Sequence, residues 1–593
     1  MITTARAKNS STKAMTKVGV VAALQEIALL LRLKSGDPFR SRAYAKAAQA
    51  IAEFGGDFQS LVEQRRLTEI KGIGNSLAGV IEQLVMSGRS SLLERLREEV
   101  PPGALVLSQI PGLTLKKIKK LDAALGISSI DDLKAAIAAG RLKEVPGFGP
   151  KSESALLEQI SRYENRENRI LLFHALRIAE NVIVHLRSYP SLVSVDLAGA
   201  ARRWKETVSM IRITAAGFRD REELLEHFLS FPLIAEIEDR KKDAVTVRLI
   251  QGANVCLSVA PPDKYWNLLH RETGSRAHLK RLEGIAKEKG IELGPPMRAS
   301  GSGKILKVKS EEEIYRHLDL QYVPPELRED AGEIEAAVSH SIPDDLVTIQ
   351  DIKGMVHCHT TYSDGGNTIE EMALAAESMG MKYITITDHS PTAHYAGGVK
   401  VDRLKRQWEE MAQVQERVAI KLLRGTESDI LRDGSLDYPD RILEQFDIII
   451  ASIHNRYKLD EDEMTKRVIT AMKNPFFKIW GHPLGRLLER RPPIACDVEK
   501  ILDVISETGA AIEISGDPHR LDMEPRWARD ARRHKIKFVI STDAHSISDM
   551  NNLKFGIGIA RRAGVRSGEV LNTLGARAFQ KLVKPTTRDH PSR

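Results

Sequence analysis

Two histidines one residue apart, His357 and His359, end a short apolar run, and Asp364 follows five residues later. Residues two apart on a β-strand face the same side, so this spacing predicts that both imidazoles grip one metal ion while Cys358 faces away. The theme repeats downstream. Five more apolar runs end at His389 (after Asp388), Glu427, His454, His482, and Asp543 with His545; another run, 510–515, carries Glu513. Imidazole and carboxylate ligands without thiolates suit Mn²⁺, Zn²⁺ or Fe²⁺. Grouped divalent ions bind a phosphate ester, lower the pKa of a water and stabilise a leaving alkoxide. The predicted chemistry is phosphoester hydrolysis. Asp388 is expected to support a neighbouring ligand rather than to bind metal.

Such ligands must be positioned by the runs that precede them. Each run is rich in β-branched or aromatic residues and of strand length, and helical periodicity separates them, as over 368–379 and 498–508. Strands alternating with helices imply a parallel sheet. Seven strands, most ending at a polar ligand, imply a closed or nearly closed barrel with its site at the C-terminal rim.

With these motifs in hand, residues 351 to about 564 resemble a PHP (polymerase and histidinol phosphatase) domain. The resemblance implies a distorted seven-stranded β/α barrel with two to three metal ions. It implies nine ligands, His357, His359, Asp364, His389, Glu427, His454, His482, Asp543 and His545, with Glu427 bridging two ions. Of these, His357, His359, Glu427, His454, Asp543 and His545 are the expected catalytic set. Arg486 and Arg520, near Gly481-His482-Pro483 and Asp517-Pro518-His519, are candidates for clamping the substrate phosphate.

The chain has 593 residues, a 42% hydrophobic share and a formal net charge of +8. Its length predicts three to five domains, and it holds no apolar run long enough to span a membrane. Three cysteines in so long a chain point to a reducing compartment; the expectation is cytoplasmic and nucleoid-associated. Residues 1–160 hold 23 Lys and Arg against 16 Asp and Glu, so most of the excess charge lies at the front, which suits a polyanion partner.

That front also repeats a pattern. Ile70-Lys71-Gly72-Ile73-Gly74, Ile110-Pro111-Gly112-Leu113-Thr114 and Val145-Pro146-Gly147-Phe148-Gly149 share an apolar-x-Gly-apolar turn ahead of a helix. They resemble helix-hairpin-helix elements, whose turns offer backbone N–H groups to a DNA phosphate. The expected DNA contacts are Gly72, Gly74, Gly112, Gly147, Gly149 and Lys151. Thr114 replaces the last glycine of the second copy, and Lys116 and Lys117 follow it as further phosphate contacts.

Phe39 to Ala48, with Arg40, Arg42 and Lys46, resembles the basic helix of the small N-terminal domain of family X DNA polymerases. Relatives with lyase activity place a Schiff-base lysine where this chain has Val80, and that chemistry needs an amine, so no lyase activity is expected there. Asp196 to Val208 resembles the start of that family's palm. The palm's three metal carboxylates would fall at Met210, Arg212 and Cys256, residues that cannot support two-metal phosphoryl transfer.

The expected organisation is multidomain. A flexible segment (1–18) precedes an all-α helical domain (19–100) and a second helix-hairpin-helix domain (101–160). An α+β degenerate nucleotidyltransferase-like palm and thumb (161–325), a linker (326–350), the α/β PHP barrel (351–575) and a tail (576–593) follow. Bacterial family X polymerases carrying a PHP domain join these parts. That resemblance implies a Mn²⁺-dependent 3′–5′ exonuclease or 3′-end-processing nuclease in DNA repair, acting on abasic sites in some members. The partner expected is DNA, bound without regard to sequence by a monomer. The competing readings are a small-molecule phosphatase of the histidinol-phosphate type, a non-catalytic DNA-end scaffold and a gap-filling polymerase.

Overall fold

The computed structural model describes residue 15 and residues 17–35, 38–54, 57–70, 72–101, 103–108, 110, 113–148, 153, 156–157, 160 and 169–585. Gly112, Gly149 and Lys151 lie outside them. The N-terminal region is helical and has a core of its own. The three expected hairpins share one turn: Ile73 N–H donates to Ile70 at 3.0 Å, Leu113 to Ile110 at 3.1 Å and Phe148 to Val145 at 3.1 Å. In each turn both apolar residues are buried. Gly72 and Gly147 adopt φ of +93° and +100°, where a side chain would be strained. Gly74 caps the helix Asn75–Ser87, and Thr114 caps Leu115–Leu125. Arg40, Arg42, Lys46, Lys116 and Lys117 are exposed.

Residues 194–260 form a five-stranded sheet in which the strand Ile211–Ala216 lies between Ser194–Ala198 and Asn254–Ala260. Arg212 sits directly opposite Cys256 on the paired parallel strands, so two of the three positions expected to have lost a carboxylate do meet. The stretch 326–350 is not a free linker: Ile334, Ala337 and Ile342 are buried in one core with Leu282, Ile314 and Tyr315.

The C-terminal domain is a barrel of seven parallel strands in sequential order: β1 Gly354–Cys358, β2 Tyr383–Ile386, β3 Lys421–Asp429, β4 Ile448–Ser452, β5 Ile479–Trp480, β6 Ala511–Ser515 and β7 Phe538–Ser541. It nearly closes just past the strand ends, where His359 N–H donates to Ala544 at 2.8 Å and Ala544 N–H to His357 at 3.0 Å. The intervening helices start at strong caps. Thr368 and Glu371 form a capping box, and Asp497 accepts from Lys500 N–H at 3.0 Å.

The described part of the expected tail, 576–585, belongs to this domain. Helix Ala576–Val583 buries Phe579 and Val583 among the residues that fill the barrel interior, and Phe579 stacks on Tyr383 at 4.9 Å. Since Tyr383 begins β2, the helix seals the end opposite the ligands. The palm docks on the barrel's flank through Trp204, whose ring lies against Gly558, and the two share one continuous core. Among the described residues, no helix is long and apolar enough to cross a membrane.

Candidate metal centre

All nine expected ligands converge at the C-terminal rim of the barrel. Glu427, near the end of β3, is the hub. Its Oε2 lies 3.0 Å from His389 Nδ1, 3.4 Å from His357 Nε2 and 3.6 Å from His359 Nε2. Its Oε1 lies 2.7 Å from His482 Nε2 and 3.2 Å from His454 Nε2. Asp543 faces His359 at 3.2 Å and His357 at 3.6 Å. Asp364 faces His545 at 3.3 Å, His389 at 3.6 Å and His359 at 3.8 Å.

Three overlapping groups have donor spacing fit for an ion: His359, Asp364, His389 and His545; His357, His359, Glu427 and Asp543; His389, Glu427 and His454. Buried polar atoms normally have partners. Here His357 Nε2, both ring nitrogens of His359, His389 Nδ1, Glu427 Oε2 and His482 Nδ1 are buried with no hydrogen-bond partner among the described residues. Lone pairs facing one another across these distances fit cations between them, so the residues present fit a multinuclear centre.

The strands do not deliver the ligands by simple alternation. His357 has φ of +64°, and the register between β1 and β2 slips between Met355 and Cys358. The hydroxyls of Thr385 and Thr387 accept from the His357 and Cys358 N–H groups at 3.1 and 2.9 Å. His357 and His359 therefore converge, with ring centroids 5.2 Å apart, because of a bulge rather than a regular pleat. His482 and Asp543 also have positive φ, +24° and +51°. Backbone strain of about 1–3 kcal/mol per residue persists only where the surroundings over-determine it. Asp364 returns through a turn at Gly365, where an added Cβ would lie 2.6 Å from the His359 carbonyl.

A second ring of carboxylates orients the first. Glu513 accepts from His357 Nδ1 at 2.6 Å and also from the His482 N–H. Asp429 bonds His454 Nδ1. Each bond fixes a tautomer that leaves Nε2 facing the centre. Neither carboxylate has a role in the reading from sequence alone. Asp429 does carry a signal: it lies two residues beyond Glu427 on the same strand, hence on the same side. Asp388 is a support, as expected, but of the turn leading to Asp364. It accepts from Thr360 N–H at 2.8 Å, Thr360 Oγ1 at 2.7 Å and Gln407 Nε2 at 2.6 Å.

The centre's carboxylates and imidazoles shift one another's titration. Burial opposes ionisation of Glu427, but His454, His357 and His389 outweigh it and hold the carboxyl well below its usual range. Burial also opposes charging of His454, yet Glu427 and Asp429 raise it to about 10. His545 is raised to about 9 by Asp364 and Asp543 against the same opposition. His359 goes the other way, to about 3, through burial and its neighbours His545 and His389.

The two arginines differ. Arg486 is not available as a clamp: its guanidinium donates to the Arg520 carbonyl at 2.9 Å and to the Leu521 carbonyl, and faces Glu206 and Glu524, each at 3.5 Å. Arg520 lies 3.3 Å from Asp517 and 3.6 Å from Asp543, and its Nε and one Nη are buried without a hydrogen-bond partner among the described residues. It remains at the centre with donors to spare.

Family models match four segments: a helix-hairpin-helix domain over 15–90, a SAM-like helix-hairpin-helix tandem over 104–162, a DNA polymerase beta thumb over 268–329 and a PHP domain over 356–516. PHP domains are metal-dependent, in keeping with the clusters above. A DNA polymerase/3′-5′ exonuclease PolX of Bacillus subtilis is 34% identical over 574 residues, covering 96% of this chain and all of the relative. Probable phosphatases of Thermoanaerobacter sp. (strain X514) and Caldanaerobacter subterraneus are 32% and 31% identical over 235 and 250 residues. They cover 37% and 39% of this chain and 89% and 91% of the relatives. Helix-hairpin-helix modules, a polymerase thumb and a PHP barrel thus follow one another along a chain that aligns over nearly its whole length with the Bacillus protein, and the chain belongs to the PolX family.

Proposed function

We propose that the chain is a metal-dependent nuclease that shortens or trims DNA 3′ ends, and that its palm holds DNA without polymerising. The observation that carries the reading is the hub at Glu427, where five imidazoles meet a buried carboxylate and four of them, with Glu427 Oε2, have orphaned atoms, on the same chain as helix-hairpin-helix domains. Divalent ions held by His357, His359, Asp364, His389, Glu427, His454, His482, Asp543 and His545 would polarise the phosphodiester, acidify an attacking water and stabilise the leaving 3′-oxygen; Mn²⁺ is the favoured ion. The chain's own groups do the rest. Glu513 and Asp429 keep His357 and His454 in the tautomers that face the ester. Arg520, ion-paired with Asp517 and Asp543 but with Nη1 making no hydrogen bond among the described residues, offers that group to a phosphate oxygen beside Asp543. The exposed hairpin turns and Lys116 and Lys117 grip the duplex backbone.

The palm supports the negative half of the proposal. Arg212 crosses over Gly199, with its Cδ 3.1 Å from where a Cβ would sit, and pairs with Glu272 at 2.9 Å. A cation thus stands at one of the positions expected to hold a carboxylate, on the strand paired with Cys256. Val80 likewise leaves the helix Asn75–Ser87 without an amine at the lyase position.

The test is digestion of a 5′-labelled gapped duplex with Mn²⁺, for wild type and His357→Ala, with dNTPs in a parallel tube. Stepwise shortening that disappears in the variant is expected. Tight binding without shortening would leave an end-binding scaffold, hydrolysis confined to small phosphate monoesters a phosphatase, and primer extension a working palm.

A further inference from the structure

Resting on the nuclease reading, we propose that Tyr395 is the stacking platform for the 3′-terminal nucleobase, so that the centre recognises a terminal nucleoside as well as a phosphate. Its ring is 70% exposed, although Ala393 and Ala396 on either side are buried. Its centroid lies 6.1 Å from that of His389 and 6.2 Å from that of His454, at interplanar angles of 61° and 60°. The ring therefore stands on the rim directly above the corner where His389, Glu427 and His454 meet.

The loop that carries the ring is held in place. Val399 N–H donates to the His389 carbonyl at 2.8 Å, Gly398 N–H to Ala393 at 3.1 Å and Ala396 N–H to Ala393 at 3.0 Å. Thr392 bonds Asp437 through its N–H at 2.7 Å, and its hydroxyl reaches Asp429 at 3.0 Å. Asp429 is the carboxylate that orients His454, so the loop and the ligand share an anchor. Gly398 packs so closely that a Cβ would lie 2.2 Å from the Ser390 carbonyl. A single exposed aromatic needs no explanation by itself; this one is carried on a backbone held by these bonds and faces solvent beside the reaction centre.

The chemistry of the substrate suits such a ring. A phosphodiester held at the centre carries a nucleoside on each side. The penultimate base is already stacked on its neighbours, whereas the terminal base has one face uncovered, which a single rigid aromatic can cap. Stacking works for every base because every base has a π-face, in keeping with digestion that ignores sequence. The ring alone is assigned the task, and the hydroxyl takes no part in it.

The experiment uses the full chain with Mn²⁺ and 5′-labelled duplexes ending in either a normal 3′ nucleotide or a tetrahydrofuran abasic analogue. KM and kcat are measured for wild type, Tyr395→Phe and Tyr395→Ala. Wild type is expected to show a KM about 5- to 150-fold lower for the base-bearing end. Tyr395→Ala should erase that preference, and Tyr395→Phe should keep it. Equal slowing of both ends by Tyr395→Ala, or a Phe variant that behaves like Ala, overturns the platform. If wild type digests both ends with one KM, only the platform is lost; if it digests neither, the nuclease reading fails and the platform with it.

Discussion

Replacing Glu206 by glutamine should loosen the joint between palm and barrel and, through it, the reaction centre. Glu206 comes from the palm, yet its carboxylate pairs with Arg562 at 2.6 Å and Arg486 at 3.5 Å, both from the barrel domain. The side chains of all three are mostly buried, with exposures of 16%, 7% and 9%. Burial opposes ionisation, but Arg562 and Arg486 outweigh it and carry the Glu206 carboxyl from its ordinary value near 4.5 down to about 2. That displacement corresponds to about 3 kcal/mol at neutral pH. The cost of leaving buried cations unpaired is of the same size, about 3–5 kcal/mol. Because the folded-state pKa is depressed, the contribution is fully present above about pH 4.5 and is lost as pH falls through about 2. The assay is hydrogen exchange at pH 7 across 199–208 and the helix Leu553–Arg562, since one unfolding free energy is ill-defined for a multidomain chain. Glu206→Gln should raise exchange through this joint about 100-fold and lower nuclease turnover, because Arg486 holds the Arg520 and Leu521 carbonyls. Exchange within about threefold of wild type would refute the buried-charge argument.

Gly558→Ala should weaken the same joint, by about 1–3 kcal/mol, because the new Cβ would fall 2.3 Å from the Trp204 ring; hydrogen exchange across the joint unchanged within error would count against this docking. Asp429→Asn should reduce Mn²⁺ affinity or activity about 10- to 100-fold without unfolding the barrel, read by calorimetric titration alongside circular dichroism. Metal binding at pH 7.5 should release protons, since His454 and His545 are raised to about 10 and about 9 in the metal-free centre. Apparent Mn²⁺ affinity should therefore climb with pH up to about 10; calorimetry in buffers of different ionisation enthalpy measures the release, and a pH-independent affinity would contradict protonated imidazoles at the rim.

Much of the molecule is legible in the order of its residues. Strand-length apolar runs set out the seven barrel strands because each run is interrupted by a polar ligand and followed by helical periodicity, both local signals. The three hairpins are readable because one apolar-x-Gly-apolar turn recurs, and glycine at positive φ is a local demand. Arg486 misleads because a guanidinium beside a histidine motif has the same local sequence whether it faces substrate or its own backbone. The segment 576–583 reads as a tail because Phe579 and Val583 show their purpose only against the barrel floor.

The residue types and their order along the chain determined the metal chemistry and the helical front: imidazoles and carboxylates at the ends of alternating strands, and recurrent glycine turns ahead of helices near the N-terminus. The tertiary structure decided which of those groups meet. Glu427 is a hub because five imidazoles from four other strand ends converge on its two oxygens. Asp429, Glu513 and Glu206 gain their roles from partners 25, 156 and 356 residues away. Contacts over such separations arise from closing the barrel and docking the palm, which bring together side chains that no local pattern relates.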